Sequence, residues 1–236
     1  MTEADRRAQL SASLDEVRLR IARACSAADR DPDSVTLVAI TKTYPVGDVL
    51  LLAELGVTDV GENKDQEAAA KAESAGSAGV RLRWHFVGQL QRNKAKSVVR
   101  YADVVESVDS VRLAGALDRA AGQHRDTPLD VLVQVSLDGD AARGGAADDD
   151  IWRTAEAIAE SPALRLGGVM AVAPVDADPD RAFAALAGVS AKLVETHPAA
   201  AIVSAGMSGD LEQAIRHGAT HVRIGTSLLG KRNLLR

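Results

Sequence analysis

Short apolar stretches rich in Val, Ile and Leu recur along the chain, and longer polar stretches separate them. Each apolar stretch ends near Gly, Pro, Asp or Ser, which is typical of a buried strand. The predicted strands are 35–40 (VTLVAI), 57–61 (VTDVG), 83–88 (RWHFVG), 102–108 (ADVVESV), 130–136 (DVLVQVS), 164–172 (LRLGGVMAV), 200–206 (AAIVSAG) and 221–225 (HVRIG).

A helix-forming stretch follows every predicted strand. These stretches are 46–56, 65–74, 93–100, 110–122, 148–161, 178–197, 209–218 and 226–232. Strands that are apolar throughout and alternate with helices predict a parallel sheet whose outer face is covered. Eight such units in about 200 residues fit a closed α/β barrel of the (β/α)8 TIM type better than an open sheet.

An additional amphipathic helix precedes the first strand, because Leu10, Leu14, Val17 and Ile21 recur at helical spacing among charged residues. No proline-rich or low-complexity linker divides the chain. We therefore expect a single domain over residues 1–236.

The composition and charge of the chain exclude several classes of function. Hydrophobic residues make up 46% of the 236 residues, charged residues 26%, and the formal net charge is -5. There is no basic excess for nucleic acid or an anionic membrane, no apolar run of the ~20 residues that a membrane helix needs, and a charged N-terminus unlike a signal peptide. We expect a cytoplasmic protein and a monomer. The single cysteine, Cys25, rules out an internal disulfide or a Cys-rich metal site, and we interpret it as a packing residue.

Polar residues gather where the predicted strands end. Lys42 follows strand one, Asn63 follows strand two, His85 lies in strand three, and Ser208 and Thr226 follow strands seven and eight. Active sites of such barrels lie at the C-terminal ends of the strands. We therefore expect these side chains at one face.

The loops after strands seven and eight predict a phosphate site. Residues 208–210 (SGD) and 225–227 (GTS) each open a helix, so that backbone N–H groups and hydroxyl groups can point at an anion. The alternative is that these residues only cap helices. Two such loops at strands seven and eight favour phosphate.

Arg223 points into the barrel if Val222 and Ile224 face the helices. In a closed barrel strand eight neighbours strand one, so Arg223 and Lys42 can border one pocket beside the phosphate loops. Lysine, phosphate and an inward arginine suggest pyridoxal 5'-phosphate (PLP) held as a Schiff base. Two alternatives remain open: a solvated lysine at a strand end, and aldol chemistry of Lys42 on a sugar phosphate. No metal site is predicted.

Several motifs in order resemble the YggS/PROSC family of pyridoxal phosphate homeostasis proteins. They are AITKTYP, DVGENKDQEA, WHFVGQLQRNKAK, ESVDS, MAVAP, SAGMSGDLEQAI and VRIGTSLLGKR, and the resemblance runs from about residue 35 to residue 232. The resemblance implies a PLP-binding barrel of fold type III, similar to the N-terminal domain of bacterial alanine racemase.

The resemblance also implies roles for individual residues. Lys42 would carry the Schiff base, Arg223 would face the pyridine nitrogen, and Asn63 would border the ring. The phosphate ligands would be Ser208, Gly225 and Thr226, with a backbone contribution from Met207. Many relatives carry a lysine where this chain has Arg143, so that a role there requiring a free amine is in doubt.

The implied function is non-catalytic: binding PLP and keeping its concentration in balance, by storage or by delivery to PLP-dependent apoenzymes. An always-charged arginine opposes protonation of the ring nitrogen and weakens the ring as an electron sink. Racemases with this barrel use a second base, a tyrosine from an additional domain. The tyrosines here are Tyr44, beside Lys42, and Tyr101, before strand four. The alternative function is a weak PLP-dependent amino-acid racemase.

Overall fold

The computed structural model describes residues 2–140 and 143–230, and in them eight parallel strands close into a barrel in the order β1 to β8. All eight predicted strands are confirmed, with ends that agree within two residues. The strands are β1 (Thr36–Ile40), β2 (Asp59–Glu62), β3 (Arg83–Phe86), β4 (Val104–Val108), β5 (Leu129–Gln134), β6 (Leu164–Met170), β7 (Ile202–Ser204) and β8 (His221–Ile224).

Helices surround the barrel. They are α1 (Glu3–Ala27), α2 (Val46–Glu54), α3 (Asp65–Ser77), α4 (Ala95–Val98), α5 (Val111–His124), α6 (Asp149–Ala159), α7 (Pro179–Thr196), α8 (Leu211–Arg216) and α9 (Thr226–Leu229), with 3-10 turns at Pro32–Ser34 and Arg92–Lys94. The predicted helix 93–100 is reduced to the second 3-10 turn and the single turn α4. Positions 231 and 232 of the last predicted helix lie outside the described residues. Within the described ranges, every helix is too short or too polar to cross a membrane.

Pairing between β8 and β1 closes the barrel. Val38 pairs with Arg223, and Ala39 pairs with Ile224. On the other side of β1, Ile40 pairs with Gly61 of β2. The C-terminal ends of β8, β1 and β2 are therefore neighbours at one face, as the sequence predicts.

Apolar packing lies mainly outside the barrel, between the strands and the helices. The predicted N-terminal helix is confirmed as α1, whose buried face includes Leu10, Leu14, Val17 and Ile21. Cys25 on the same helix is fully buried in this layer, and burial raises the pKa of its thiol. This agrees with a packing residue rather than a reactive thiol.

The inside of the barrel has a smaller apolar cluster, formed by Val104, Leu132 and Met170 together with the partly buried Ile202. Charged and polar side chains occupy much of the remaining interior: His85, Glu106, Ser204 and Arg223 are all less than 5% exposed. A barrel interior is usually filled by branched apolar residues. The polar interior therefore needs its own internal partners.

Gly168 allows β6 to lie close to β7. Its φ is +146°, and a Cβ atom at this position would lie 2.0 Å from the carbonyl oxygen of Ile202. We expect Gly168→Ala to lower the free energy of unfolding by about 3 kcal/mol, because it adds both a backbone clash and an unfavourable φ. The measurement is equilibrium urea unfolding.

Gly188 is the matched control, because it lies in α7 with open space around the position of its Cβ. Gly188→Ala is expected to raise the free energy of unfolding by up to ~1 kcal/mol, since alanine is the better helix former. Equal effects of the two substitutions would contradict the assignment of a special role to Gly168.

Candidate functional site

Lys42 lies in a tight turn directly after β1. The backbone N–H of Thr41 donates to the carbonyl of Gly61 (3.0 Å), and the N–H of Tyr44 donates back to the carbonyl of Thr41 (3.0 Å). Lys42 and Thr43 form the middle of this turn, and Thr43 has a φ of +70°. The turn thus carries Lys42 beyond the barrel wall at the C-terminal end of β1.

The two loops predicted to bind phosphate are joined to each other. The backbone N–H of Ser227, at the start of α9, donates to Oγ of Ser208 in the loop after β7 (3.2 Å). A Cβ atom at Gly225 would lie 3.5 Å from the Cβ of Ile40, so the β8 loop touches the end of β1. The structure therefore joins the loop with Ser208 to the start of α9 and brings Gly225 against the end of β1, the strand that Lys42 follows.

Arg20, a residue that sequence reasoning missed, supports this region from α1. Its guanidinium donates to both carboxylate oxygens of Glu212 (2.9 Å each) and to the carbonyl oxygen of Ser208 (3.2 Å). A bidentate contact of this kind fixes both the position and the orientation of the Arg20 guanidinium. The extra helix α1 is thus connected to the loop after β7 that carries Ser208.

Met207 lies in the same loop and is 39% exposed. Its backbone N–H donates to Oδ1 of Asp210 (2.6 Å), and its carbonyl accepts from the N–H of Asp210 (3.2 Å). A backbone contribution of Met207 to phosphate binding stays a prediction, and it requires the bond from its N–H to Asp210 to be exchanged.

Arg223 points into the barrel, as predicted, and is 4% exposed. Its guanidinium donates to Oγ of Ser204 (2.7 Å) and to the carbonyl of Ala171 (2.8 Å), and it lies 3.8 Å from the carboxylate of Glu106. Burial lowers the pKa of Arg223, against the opposing charge of Glu106. The group stays cationic because the pKa of an arginine starts above 12.

His85 is not at the active face, contrary to the sequence prediction. It lies in the barrel interior, where Nδ1 is 2.7 Å from Glu106 and Nε2 is 2.9 Å from Asp59. Glu106 in turn accepts a hydrogen bond from Oγ of Ser204 (2.6 Å). The reason for the error is that His85 is an inward residue in the middle of β3, where side chains contact the neighbouring strands rather than the solvent.

These contacts form a continuous chain from Asp59 through His85, Glu106 and Ser204 to Arg223. Burial alone would lower the pKa of His85, but its hydrogen bonds to Asp59 and Glu106, together with their charges, raise the pKa to about 9. Burial would raise the pKa of Glu106, but the hydrogen bond and charge of His85 and the charge of Arg223 lower it to about 2. The interior therefore holds an imidazolium and a carboxylate at neutral pH.

Asn63 follows β2 and borders a cavity of about 580 Å³ between the loops after β2 and β3. Its side-chain oxygen is buried and has no hydrogen-bond partner in the described part of the chain. Gly88 packs against the backbone of Asn63, since a Cβ atom at Gly88 would lie 2.2 Å from the backbone carbonyl oxygen of Asn63. Buried polar atoms are normally paired, so this oxygen is an unsatisfied acceptor within the described residues.

Arg143 crosslinks the loops after β5 and β6. Its guanidinium donates to the carbonyls of Val172 (3.1 Å) and Ala173 (3.0 Å) and pairs with Asp138 at 3.2 Å. A guanidinium offers several donors in a fixed plane, which a lysine amine does not. At this position the chain thus uses its cation to hold two loops together.

Neither tyrosine is placed as an open acid or base at this face. The Tyr44 hydroxyl donates to the carbonyl of Gly230 (2.6 Å). The Tyr101 hydroxyl is buried, and burial together with the nearby Asp65 carboxylate raises its pKa. Among residues 2–140 and 143–230, no three His, Cys, Asp or Glu side chains are arranged to hold a metal ion.

Comparison with known proteins identifies the family to which the chain belongs. The family model for the alanine racemase N-terminal domain matches residues 12–233. A pyridoxal phosphate homeostasis protein of Mycobacterium bovis is 44% identical, covering 98% of this chain and 95% of the relative, and one of Pseudomonas aeruginosa is 39% identical, covering 95% and 96%. The chain belongs to the pyridoxal phosphate homeostasis protein family.

Solved structures agree with the family assignment. The structure of PipY from Synechococcus elongatus with PLP bound has a TM-score of 0.82 and 31% identity, and covers 94% of this chain and 100% of that one. Alanine racemase from Corynebacterium glutamicum, at 15% identity and a TM-score of 0.67, shares the fold. The match covers 94% of this chain and 62% of the racemase.

A sequence signal for the interior residues of this family member did exist. Asp59, His85, Glu106 and Ser204 are polar residues within otherwise apolar strands, like Arg223, whose inward direction the sequence does predict. A strand buried on both faces tolerates such a residue only when a partner faces it. Which strands supply the partners depends on the strand register and on distances across the barrel, which the sequence pattern does not give.

The raised pKa of His85 predicts a loss of stability at alkaline pH. The folded-state pKa of about 9 lies above the unfolded value of 6.5, so the stabilisation is complete below pH 6.5 and is lost as the pH rises to 9. The free energy of unfolding should fall by on the order of 3 kcal/mol over this window. Urea unfolding at pH 6.5, 7.5 and 9 measures it.

His85→Gln should remove this alkaline loss and should destabilise the protein at pH 6.5, because Glu106 and Asp59 lose the cation between them. His221, whose ring centre is 6.0 Å from that of His85, titrates elsewhere: burial lowers its pKa to about 4. The contribution of neutral His221 to the free energy of unfolding is lost as the pH falls from 6.5 toward 4, which is outside the alkaline window. An alkaline loss that persists in His85→Gln would contradict the assignment to His85.

Proposed function

We propose that this protein binds PLP through a Schiff base on Lys42 and serves to keep the supply of free PLP in balance, by storing it or delivering it to apoenzymes. The observation that carries the proposal is the closure of the barrel between β8 and β1, with Arg223 paired to Val38. This pairing supports the proposal, because the turn with Lys42 and the loop with Thr226 follow two paired strands, β1 and β8, and Arg223 lies within β8.

The residues present fit PLP. Hydroxyl groups of Ser208 and Thr226 and the N–H groups at the start of α9 match the needs of a phosphate. The side-chain oxygen of Asn63 is buried and has no partner within the described residues. It would accept a hydrogen bond from a polar substituent of the ring. The names of the relatives and the PLP bound to PipY support the same cofactor.

When bound, PLP supplies an aldehyde that condenses with a lysine amine and a ring that withdraws electrons. Lys42 would hold that aldehyde carbon, and Ser208, Gly225 and Thr226 would hold the phosphate. Arg223 would donate a hydrogen bond to the ring nitrogen. A permanent cation at that position opposes protonation of the nitrogen, which keeps the ring a weak electron sink.

We propose a carrier rather than a racemase on this basis. Racemisation needs two bases on opposite sides of the substrate carbon, and a tyrosine is the expected partner of Lys42. Tyr44 is held by the carbonyl of Gly230, and Tyr101 is buried beside Asp65. Both hydroxyl groups are thus occupied or enclosed.

Lys42→Ala tests the covalent tether. Wild-type protein titrated with PLP should develop the visible absorption band of a protonated Schiff base, and the variant should not, while its apparent Kd rises by on the order of tenfold or more. Lys96→Ala, which removes an exposed lysine on α4, is the control and should keep the band. A band of normal intensity in Lys42→Ala would rule out Lys42 as the tether.

The carrier function makes two further predictions. Amino acids incubated with the PLP-loaded protein in deuterated solvent should exchange their α-proton no faster than with PLP alone. An apo-aminotransferase mixed with the loaded protein should regain activity faster than dissociation into bulk solvent allows. Rapid α-proton exchange would favour the racemase, and reactivation limited by free diffusion would favour storage over delivery.

A further inference from the structure

A buried ammonium lies directly beneath the turn that carries Lys42. The side chain of Lys71, on α3, is 7% exposed. Its Nζ contacts three oxygens: the carbonyl of Thr41 (2.7 Å), Oε1 of Glu62 (2.6 Å) and Oε1 of Glu67 (2.7 Å). An ammonium has three donors and no acceptor, so this geometry uses all of them.

The cluster holds the backbone on both sides of Lys42. On the N-terminal side, Lys71 binds the carbonyl of Thr41, and Oγ1 of Thr41 donates to Glu62 (2.7 Å). On the C-terminal side, the N–H of Thr43 donates to Oε1 of Glu67 (2.5 Å). The Lys71 and Glu67 pair therefore bridges the two peptide units that flank Lys42.

Thr43 needs such support. Its φ of +70° belongs to the left-handed region, which a β-branched residue rarely adopts and which costs of order 1–3 kcal/mol. Glu67 accepts the N–H of this residue. Without that acceptor the turn would relax toward an ordinary φ, and the direction of the neighbouring Lys42 side chain would change with it.

The spacing of the cluster explains how the fold builds it. Glu67 and Lys71 are four residues apart on α3, so they lie on one helical face, and Glu62 ends β2 next to β1. Burial raises the pKa of Glu62 against its hydrogen bonds from Lys71 and Thr41, whereas those from Lys71 and Thr43 outweigh burial and lower the pKa of Glu67. Removal of Lys71 would leave the buried carboxylate of Glu62 and the partly exposed carboxylate of Glu67 without their cation.

We propose that Lys71 and Glu67 are positioning residues for Lys42: by clamping the peptide units before and after it, they pre-orient its amine for covalent capture of PLP. The inference rests on the proposed function, since it concerns the same tether. A positioning role affects the reaction of the amine but not the docking of the phosphate and ring. A general structural role would affect both steps.

Lys71→Met tests the proposal by comparing two ligands. Pyridoxine 5'-phosphate has the ring and the phosphate of PLP but no aldehyde, so it reports docking alone. At saturating PLP, the first-order rate of Schiff-base formation measured by stopped-flow absorbance should fall by about tenfold or more, because misplacement of a reacting group slows its reaction steeply. The Kd of pyridoxine 5'-phosphate should stay within about twofold of the wild-type value.

Glu67→Ala is the second variant, and it should show the same separation of rate from docking. Glu67 is 25% exposed, so its removal disturbs the fold less than removal of Lys71. The matched controls are Lys96→Met for the lysine and Glu73→Ala for the glutamate; both residues are exposed, and Glu73 lies on the same helix. Neither control should change the rate or the Kd.

Each outcome supports or overturns the proposal. An unchanged rate in both variants overturns it, and so does a parallel loss of Schiff-base formation and of pyridoxine 5'-phosphate binding, which would show a general structural role. If Lys71→Met does not fold, Glu67→Ala decides by the same two measurements. If the wild-type protein itself forms no Schiff base, the proposed function fails, and this result is distinct from either outcome for the variants.

Discussion

The carboxylate of Glu106 lies inside the barrel without contact with solvent, and the remainder of the interior depends on how its charge is balanced. An isolated buried charge is too costly to keep, and removal of one partner of a buried pair is strongly destabilising. Glu106 is flanked by the cations His85 and Arg223 and accepts a hydrogen bond from Ser204. These contacts tie β3, β4, β7 and β8 together across the barrel.

This balance also holds Arg223 in place. Its guanidinium is held by Ser204, the carbonyl of Ala171 and the nearby carboxylate of Glu106. A group that is already held by the protein loses little freedom on binding a ligand. The polar interior thus holds Arg223, the proposed partner of the ring nitrogen, in position. This role accounts for charged residues where most barrels have branched apolar ones.

A second buried ion cluster has the corresponding role under β1 and β2. Lys71, Glu62 and Glu67 support the turn that carries Lys42, and Arg20 of α1 supports the loop that carries Ser208. The turn with Lys42 and the loop with Ser208 are therefore held by ion-paired side chains of the scaffold and not by loop residues alone. Sites supported in this way keep their geometry, because the supporting side chains are themselves locked by packing and hydrogen bonds.

Local sequence pattern was enough for the elements of the fold and for the predicted positions of Lys42, Ser208, Arg223 and Thr226, because strand ends and side-chain alternation are properties of a short segment. The sequence pattern misplaced His85 and missed Asp59, Glu106, Lys71 and Arg20. Several of these residues have partners in distant segments of the chain: Arg20 and Glu212 are 192 residues apart, and Ser204 and Glu106 are 98 apart. Only the tertiary structure decides which of the many charged residues in the chain face a buried charge, because this depends on strand register and on distances across the barrel: Glu106 meets His85 and Arg223.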